Sequence, residues 1–243
     1  DNFTYDSGRA KDLLGRIIET FGEGEIELTA MNGVSFASLD EELLALMKKA
    51  GFRTLNLSYV STDALIRDRM GRPSPPLSFE RILREAERNG LCVVAYAILG
   101  MPGQTIADMV DTLMDLMGMR VLIGPSIYYP TPGTALFQQC RREGWLPDSS
   151  LQSRSSAFPI ETEAFSRLDL MTLFRLTRLI NFIKGKMDQG MLEEGLSWEE
   201  MVRILRGPFQ NKTRFDWRRL LQKMIEGKTF FSLRKGGPEE GVL

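Results

Sequence analysis

The chain has 243 residues, 43% of them hydrophobic and 26% charged, which is typical of a globular protein with a sizeable core. Its 31 basic and 32 acidic residues leave a formal net charge of -1, so no whole-chain field attracts nucleic acid or an anionic membrane. Because the sequence contains no histidine and only two cysteines, it excludes His-dependent catalytic triads and a Cys/His zinc site.

No segment of the sequence predicts membrane insertion or export. There is no run of about 18 apolar residues, and residues 1–6 lack the charged-then-apolar order of a signal peptide. Cys92 and Cys140 fall in a predicted strand and a predicted helix and do not form the pattern of a small disulfide domain. We therefore expect a cytoplasmic protein. Because the chain does not begin with Met, we also expect it to be a fragment of a longer protein.

Residues 1–33 are predicted to form a helix and a short strand. Asp6 or Ser7 can cap the helix, which ends near Gly22. Residues 26–31 are apolar enough for a strand. The apolar residues that share one face of the helix are Leu13, Leu14, Ile17, Ile18 and Phe21, and the turn after the strand is supplied by Asn32 and Gly33.

The next elements continue this alternation of helix and strand. Ser38, with Glu41 three residues later, has the spacing of a capping box before a helix that stops at Gly51. A second strand is predicted over residues 54–60. The remaining elements are a helix over residues 62–70, an irregular segment with three prolines over 71–76, and a helix over 79–89.

The rest of the chain is organised around the segment from Cys92 to Thr105. The eight apolar residues 92–99 predict an interior parallel strand that is buried on both faces. Residues 100–104 break the chain, and Thr105 with Asp108 has the form of a capping box opening a helix over 106–117. Parallel α/β folds bind ligands at such strand-to-helix loops, so this loop is the first candidate site.

A fourth strand, over residues 121–129, ends at a second proline and glycine loop, 130–134, before a helix over 135–144. Four strands that alternate with helices at about thirty-residue spacing predict a parallel α/β sheet. The pattern changes beyond Trp145. The predicted elements there are a linker over 147–160, a helix over 162–187, a capping box at Ser197 and Glu200, and a helix over 214–226.

The loops that follow parallel strands share one rim, which gathers the candidate binding residues. Ser58 and Ser61 could bind the ribose or carboxylate of a ligand, or simply end a strand. Asn32 could bind a polar ligand group, or only adopt a left-handed turn before Gly33. Tyr128 and Tyr129 could form a wall against a flat ring, or belong to the core.

A basic segment over residues 211–223 also contains aromatic residues. We interpret it as a solvated helix face rather than a nucleic-acid site, so we expect neither a nucleic-acid partner nor a membrane.

The order of these motifs resembles the later two-thirds of a radical S-adenosylmethionine (SAM) domain. It is closest to the group in which such a domain often follows a cobalamin-binding domain. The ordered pair of loops Gly100–Thr105 and Pro130–Thr134 carries the resemblance, which covers residues 1–145. It implies a partial parallel (β/α) barrel of the TIM-barrel-like type, with residues 146–243 as a linker and helical C-terminal extension.

The resemblance also implies where the family's cofactors would bind. Members of the family bind a [4Fe-4S] cluster and SAM at the carboxyl rim of the barrel. By position, the resemblance implies that Asp1, Asn2 and Phe3 contact the amino group of SAM, and that Ser58 and Ser61 contact its ribose and carboxylate. It also implies that Gly100, Pro102 and Gly103 lie beside the adenine, and that Tyr128 and Tyr129 form a wall of the site.

The family's CxxxCxxC cluster motif would lie before the position equivalent to Asp1. Cys92 and Cys140 cannot replace three closely spaced thiolates. We therefore expect a barrel without its first strand, its cluster loop and most of its second strand. The parent would be a radical SAM enzyme that generates a 5'-deoxyadenosyl radical, with cobalamin as a candidate cofactor. The fragment alone would be inactive and would bind no cofactor tightly.

Two alternatives stay open at this point. One is a non-redox partial barrel that binds a nucleotide or a phosphate-bearing metabolite. The other is a non-catalytic interaction module that uses the helical extension. The substrate is not indicated. Residues 26–31 would form an exposed sheet edge, so we expect self-association across it, or a local cover by residues 1–24 or by the extension.

Overall fold

The structure, a computed structural model, describes residues 3–71, 76–149 and 152–190. Its described part contains a three-stranded parallel sheet in the order β1 (Thr54–Val60), β2 (Cys92–Leu99), β3 (Leu122–Ile127). Helices connect consecutive strands, so the sheet is an open part of a (β/α) barrel, as the sequence predicts. β1 and β2 have the predicted bounds.

The helices follow the predicted order, and most begin at a side-chain cap. Asp6 caps the first helix, Thr105 and Asp108 form the predicted capping box, and Thr134 caps the helix after β3. The helices are α1 (Ser7–Phe21), α2 (Glu41–Ala50), α3 (Ala64–Arg69), α4 (Pro76–Arg88), α5 (Ile106–Met117), α6 (Ala135–Arg142) and α7 (Arg167–Asp188), with short 3-10 turns at Phe36–Ser38 and Ser155–Ala157.

The predicted cap of α2 and the predicted start of α7 are wrong. α2 is capped by Asp40, whose carboxylate accepts a hydrogen bond from the backbone N–H of Leu43 at 2.7 Å. The hydroxyl of Ser38 instead donates to the carbonyl of Ser35 at 2.8 Å within the 3-10 turn, and lies 2.6 Å from the hydroxyl of Thr4. α7 begins at Arg167 rather than at 162, because Ser166 and Asp169 form its capping box.

The prediction that β2 is buried on both faces is also wrong. The side chains of Val93, Ala95, Ala97 and Leu99 are buried under the helices, whereas Val94, Tyr96 and Ile98 are only half-buried. The cause is that the described part of the chain leaves the second face of the sheet partly open to solvent. We call it the inner face; its positions are Thr54, Asn56, Ser58, Cys92, Val94, Tyr96, Ile98, Leu122, Gly124 and Ser126.

Residues 26–31 do not form the predicted strand. Leu28 makes an isolated bridge to Phe52, and Val34, just after the segment, makes another to Leu57. Between these bridges the backbone turns away, and the side-chain amide of Asn56 donates to the carbonyl of Ala30 at 3.1 Å. The edge of β1 is therefore partly covered by a local segment. Self-association across it stays a prediction.

The described part of the predicted extension, α7, packs on β3 and α5. The side chain of Asn181 accepts the N–H of Ile123 at 2.9 Å and donates to its carbonyl at 2.7 Å, as a neighbouring strand would. Lys184 is fully buried beside it. These contacts confirm that α7 covers part of the sheet. The division of the chain at residue 145 stays a prediction.

Several predictions lie outside the described residues. They concern Asp1 and Asn2, most of the irregular segment 71–76, the basic segment 211–223, and the two C-terminal features, which are the capping box at Ser197 and Glu200 and the helix over 214–226. Within the described ranges, no helix combines the length and the apolar character needed to cross a membrane.

Candidate functional site

The carboxyl ends of β1, β2 and β3 meet at one rim because the three strands are parallel. The loop from Gly100 to Gln104 follows the central strand. Gly100 has φ +82° and Gly103 has φ +90°, a region that residues with a Cβ rarely adopt. The two glycines therefore allow the sharp turn that brings the chain from β2 into α5.

Gln104 holds this loop from the inside. Its side-chain oxygen accepts the backbone N–H of Met101 at 2.8 Å, and its side-chain nitrogen donates to the carbonyl of Ile98 at 3.1 Å. The residue is 0% exposed. The sequence analysis did not single out Gln104. Its place directly before the cap of α5 is the only signal for it in the sequence.

The three predicted ligand residues of this loop have different surroundings. Gly100 is buried, and a Cβ there would lie 2.7 Å from Cδ1 of Leu170, so this glycine admits the close approach of α7. Pro102 is buried and its carbonyl accepts Nη1 of Arg69 at 3.2 Å, while Gly103 is exposed beneath the same guanidinium. Arg69 thus adds a positive charge to the rim that the sequence analysis missed.

Ser58 and Ser61 are not brought together on one surface. A register shift between Ser58 and Val60, where Val60 has φ +70°, changes the direction of the chain at the end of β1. Ser58 remains half-buried on the inner face. Ser61 is 1% exposed, and its hydroxyl lies 3.2 Å from that of Thr112 on α5 and accepts the N–H of Asp63 at 3.1 Å. The hydroxyl of Ser61 is therefore used by the fold.

The remaining predicted residues border the rim. Asn32 is exposed in the turn before Gly33, which has φ +80°. Tyr128 is half-buried, its backbone N–H donates to the carbonyl of Leu99 at 2.9 Å, and burial raises the pKa of its phenol to about 12. Tyr129 is 45% exposed. Their contacts with a ligand stay predictions, as do those of Gly100, Pro102, Gly103, Ser58 and Ser61.

Residues 3–116 match the model of a protein family, described as the radical SAM superfamily. Residues 3–116 are part of a radical SAM domain. The resemblance inferred from the sequence motifs is thereby confirmed, and so is the open, partial barrel.

Solved structures of radical SAM enzymes have the same fold. The radical SAM methyltransferase TsrM from Kitasatospora setae, with cobalamin and a [4Fe-4S] cluster bound, superposes with a TM-score of 0.52 at 19% identity, over 62% of this chain and 31% of that chain. A second structure of TsrM, with tryptophan substrate and a SAM analog bound, gives a TM-score of 0.52 at 19% identity, over 61% of this chain and 30% of that chain.

Coproporphyrinogen III oxidase HemN from Escherichia coli, a radical SAM enzyme, gives a TM-score of 0.51 at 17% identity, over 71% of this chain and 37% of that chain. At these identities the similarity shows the fold alone. The chain spans about a third of the length of the solved structures it matches. No curated protein matches it.

The inner face of this radical SAM segment lies below the rim and has a neutral lining. Its polar side chains are Thr54, Asn56, Ser58, Tyr96 and Ser126, and none of its ten positions on the three described strands has a charged side chain. Ser126 is exposed, and Ser58 and Tyr96 are half-buried. The surface can therefore donate and accept hydrogen bonds, but it offers no charge to neutralise a phosphate.

The chain does not have the ligands for an iron–sulfur cluster. Cys92 is exposed at the first residue of β2, at the end of the sheet opposite the rim, whereas Cys140 is buried within α6, where burial raises the pKa of its thiol. Among the described residues, no group of three or more His, Cys, Asp or Glu residues could hold a metal ion. Two separated thiols do not fit a [4Fe-4S] cluster.

Proposed function

We propose that this chain is part of the barrel of a radical SAM enzyme. The full-length parent would bind SAM and a [4Fe-4S] cluster and generate a 5'-deoxyadenosyl radical, whereas this chain alone would be inactive. The match of residues 3–116 to the radical SAM superfamily carries the proposal. The open inner face directly below the rim supports it, because a ligand held at the rim would have this partly uncovered face beneath it.

This chain's share of the work would be to bind and orient SAM and to keep water from the reacting groups. The free hydroxyl groups and ring surfaces of the rim suit the uncharged ribose and adenine: Ser58 lies on the inner face, and Tyr128 and Tyr129 follow β3. Arg69, above Gly103, would supply the charge that a carboxylate needs. The cluster ligands would come from a segment before Asp1, and cobalamin is a candidate cofactor of the parent because TsrM binds it.

The two alternatives have less support. A binding site for a phosphate-bearing metabolite needs donors that neutralise charge. The inner-face positions have none, so such a site would be confined to the rim, where Arg69 lies at Pro102 and Gly103. An interaction module would be favoured if the rim were filled by its own side chains. Gln104 fills the inside of its loop, but Asn32, Gly103 and Tyr129 are exposed at the rim.

The proposal is tested by anaerobic reconstitution with iron and sulfide. We expect this chain to hold no stoichiometric cluster. About four irons per chain would contradict the proposal that the cluster ligands come from a segment before Asp1. A Cys92→Ser, Cys140→Ser double variant is the control for adventitious iron. A longer chain with CxxxCxxC before Asp1 should bind the cluster and release 5'-deoxyadenosine from SAM under strong reductant. If it does neither, the proposal that the parent is a radical SAM enzyme is contradicted.

The affinity of the fragment for SAM gives a second measurement. The groups of SAM that bind the cluster in this family, the amino and carboxylate groups of its methionine part, would lack their iron in this chain. We therefore expect weak or undetectable binding in calorimetry. An affinity in the micromolar range or tighter would contradict this assignment of contacts.

A further inference from the structure

Tyr96 occupies the centre of the inner face. It lies in the middle of β2, the central strand of the three, and its Cα partners are Ser58 on β1 and Gly124 on β3. Its side chain is half-buried. A ligand that covers the inner face below the rim would therefore meet this side chain.

Two glycines make room for the ring of Tyr96. A Cβ on Gly124 would lie 2.6 Å from Cδ1 of Tyr96 and 2.7 Å from Cε1, and a Cβ on Gly33 would lie 3.9 Å from Cδ2. One edge of the ring thus lies over Gly124, and the opposite edge faces Gly33. Gly124 has no positive φ, so space for the ring, rather than backbone conformation, is what requires glycine there.

The hydroxyl of Tyr96 is available to a ligand. No hydrogen bond joins it to another of the described residues, in contrast to the hydroxyl of Tyr59, which is buried and donates to the carboxylate of Asp115. A tyrosine hydroxyl that is removed from water normally finds a partner. If a ligand covers Tyr96, the ligand itself must supply that partner.

The surroundings of Tyr96 select for an uncharged group. Along β2 its inner-face neighbours are Val94 and Ile98, and the adjacent strands contribute the hydroxyls of Ser58 and Ser126. A charge placed against such a lining would lose its hydration without gaining an ionic partner, which disfavours its binding. An uncharged aromatic ring loses little hydration and can pack against a tyrosine ring.

We propose that the inner face at Tyr96 binds an uncharged aromatic part of the substrate, with the Tyr96 hydroxyl as its hydrogen-bond partner. Tyr96 is then a specificity-determining residue, and Gly124 positions its ring. The proposal rests on the proposed function, because it places the substrate on the inner face, below the SAM site. It requires no cluster, so it can be tested on the chain as it is.

The first experiment locates binding with a matched pair of probes. Benzamide and benzoate have the same ring and similar size, but only benzoate is charged. The full chain is labelled with 3-fluorotyrosine, and the resonance of Tyr96 among the five tyrosines is assigned from its loss in Tyr96→Phe. Benzamide should shift this resonance saturably, with a dissociation constant of about 1–10 mM, and benzoate should bind at least about tenfold more weakly.

Variants then distinguish the contribution of the Tyr96 hydroxyl to binding from effects on the fold. Their affinity for benzamide is measured by ligand-observed NMR. Tyr96→Phe keeps the ring and should weaken binding about threefold to tenfold, the effect of one hydrogen bond. Gly124→Ala should displace the ring and weaken binding at least as much. Gly15→Ala, in α1 with no atom within 4 Å of the added Cβ, is the control and should bind as the wild type does.

Four results would overturn the inference: an unshifted Tyr96 resonance, equal binding of benzoate, an unchanged affinity in Tyr96→Phe, or displacement of benzamide by adenosine. The last would assign Tyr96 to the nucleoside rather than to the substrate. Cluster binding and 5'-deoxyadenosine release are measured separately, on the longer chain. A negative result with benzamide therefore leaves the proposed function intact, and a negative result with the longer chain leaves the binding of benzamide at Tyr96 intact.

Discussion

Replacing Lys184 by methionine should reveal how strongly α7 is held to the sheet. Lys184 is 0% exposed, and its ammonium donates to the carbonyls of Leu116 at 3.1 Å and Val121 at 3.0 Å, and also to that of Met119. These carbonyls belong to the end of α5 and to the connection that enters β3. One side chain therefore joins α7 to both elements.

The expected loss of stability in Lys184→Met is about 2–4 kcal/mol. A hydrogen bond from a charged donor contributes about 1.5–3 kcal/mol, but the three contributions do not simply add. The carbonyls of Leu116 and Met119 also accept backbone N–H groups, at 3.2 and 2.9 Å, so they keep a partner in the variant. Removing the buried ammonium also removes its desolvation cost, which offsets part of the loss.

The same side chain predicts a pH dependence. Burial lowers the pKa of Lys184 from 10.5 to about 7, while Asp188 acts to raise it and Arg120 to lower it. Between these two pKa values the unfolded chain binds a proton that the folded chain has released. The free energy of unfolding of the wild type should therefore rise with pH above 7, by at most about 1.4 kcal/mol per pH unit. It should fall as the pH is lowered towards 7.

The assay is urea unfolding followed by circular dichroism, for wild type and variant, at intervals from about pH 6 to about pH 9. Taking the difference between the two proteins removes contributions from other titrating groups. Lys186→Met is the matched control: Lys186 lies on the same helix over the ring of Phe182 at 5.4 Å, and its loss should cost less than about 0.5 kcal/mol. If the difference in free energy of unfolding between wild type and Lys184→Met does not change with pH, the lowered pKa of Lys184 is refuted. The carbonyls would then keep Lys184 charged.

Three further perturbations test the fold and its edges. Gly51→Ala should cost at least about 3 kcal/mol, because its Cβ would lie 1.8 Å from the carbonyl oxygen of Ile26 at φ +109°; an unchanged urea midpoint would contradict this close approach. Asn181→Leu should cost about 1–3 kcal/mol and promote self-association, because it frees the N–H and carbonyl of Ile123 at the edge of β3; a fully stable, monomeric variant would show that this edge needs no partner. The wild type should self-associate at tens of micromolar in sedimentation equilibrium, because residues 26–31 cover the edge of β1 only partly; a strict monomer would show that this local cover is sufficient.

Features that depend on neighbouring residues in the chain were predictable. The capping box of Thr105 and Asp108, the stop at Gly51 and the extents of β1 and β2 all follow from caps, glycines and apolar runs. Their order was also sufficient to indicate the superfamily and the partial barrel. These signals are local because a cap bonds within its own first turn, and a strand's apolar pattern is set by its own residues.

The errors have a common physical cause. Ser38 lies in the 3-10 turn before α2 and its hydroxyl contacts Thr4, far away in sequence, while Asp40 caps the helix. The run of apolar residues in β2 was predicted to be buried on both sides, yet the openness of its inner face depends on what packs there. Ser61 was placed at the rim by its position in the sequence, but a register shift directs its hydroxyl to α5.

Most elements were predictable from the sequence, because caps and strand patterns rest on contacts within a few residues, although residues 26–31 do not form their predicted strand. The parallel order of the strands, and with it the shared rim, followed from the helices that cross over between them. Which side chains meet across the fold depends on the tertiary structure. It placed the ammonium of Lys184 on carbonyls of a distant loop and the ring of Tyr96 in the space left by Gly33 and Gly124. A lone lysine, tyrosine or glycine has no sequence pattern. Its role is set by the atoms that folding brings beside it.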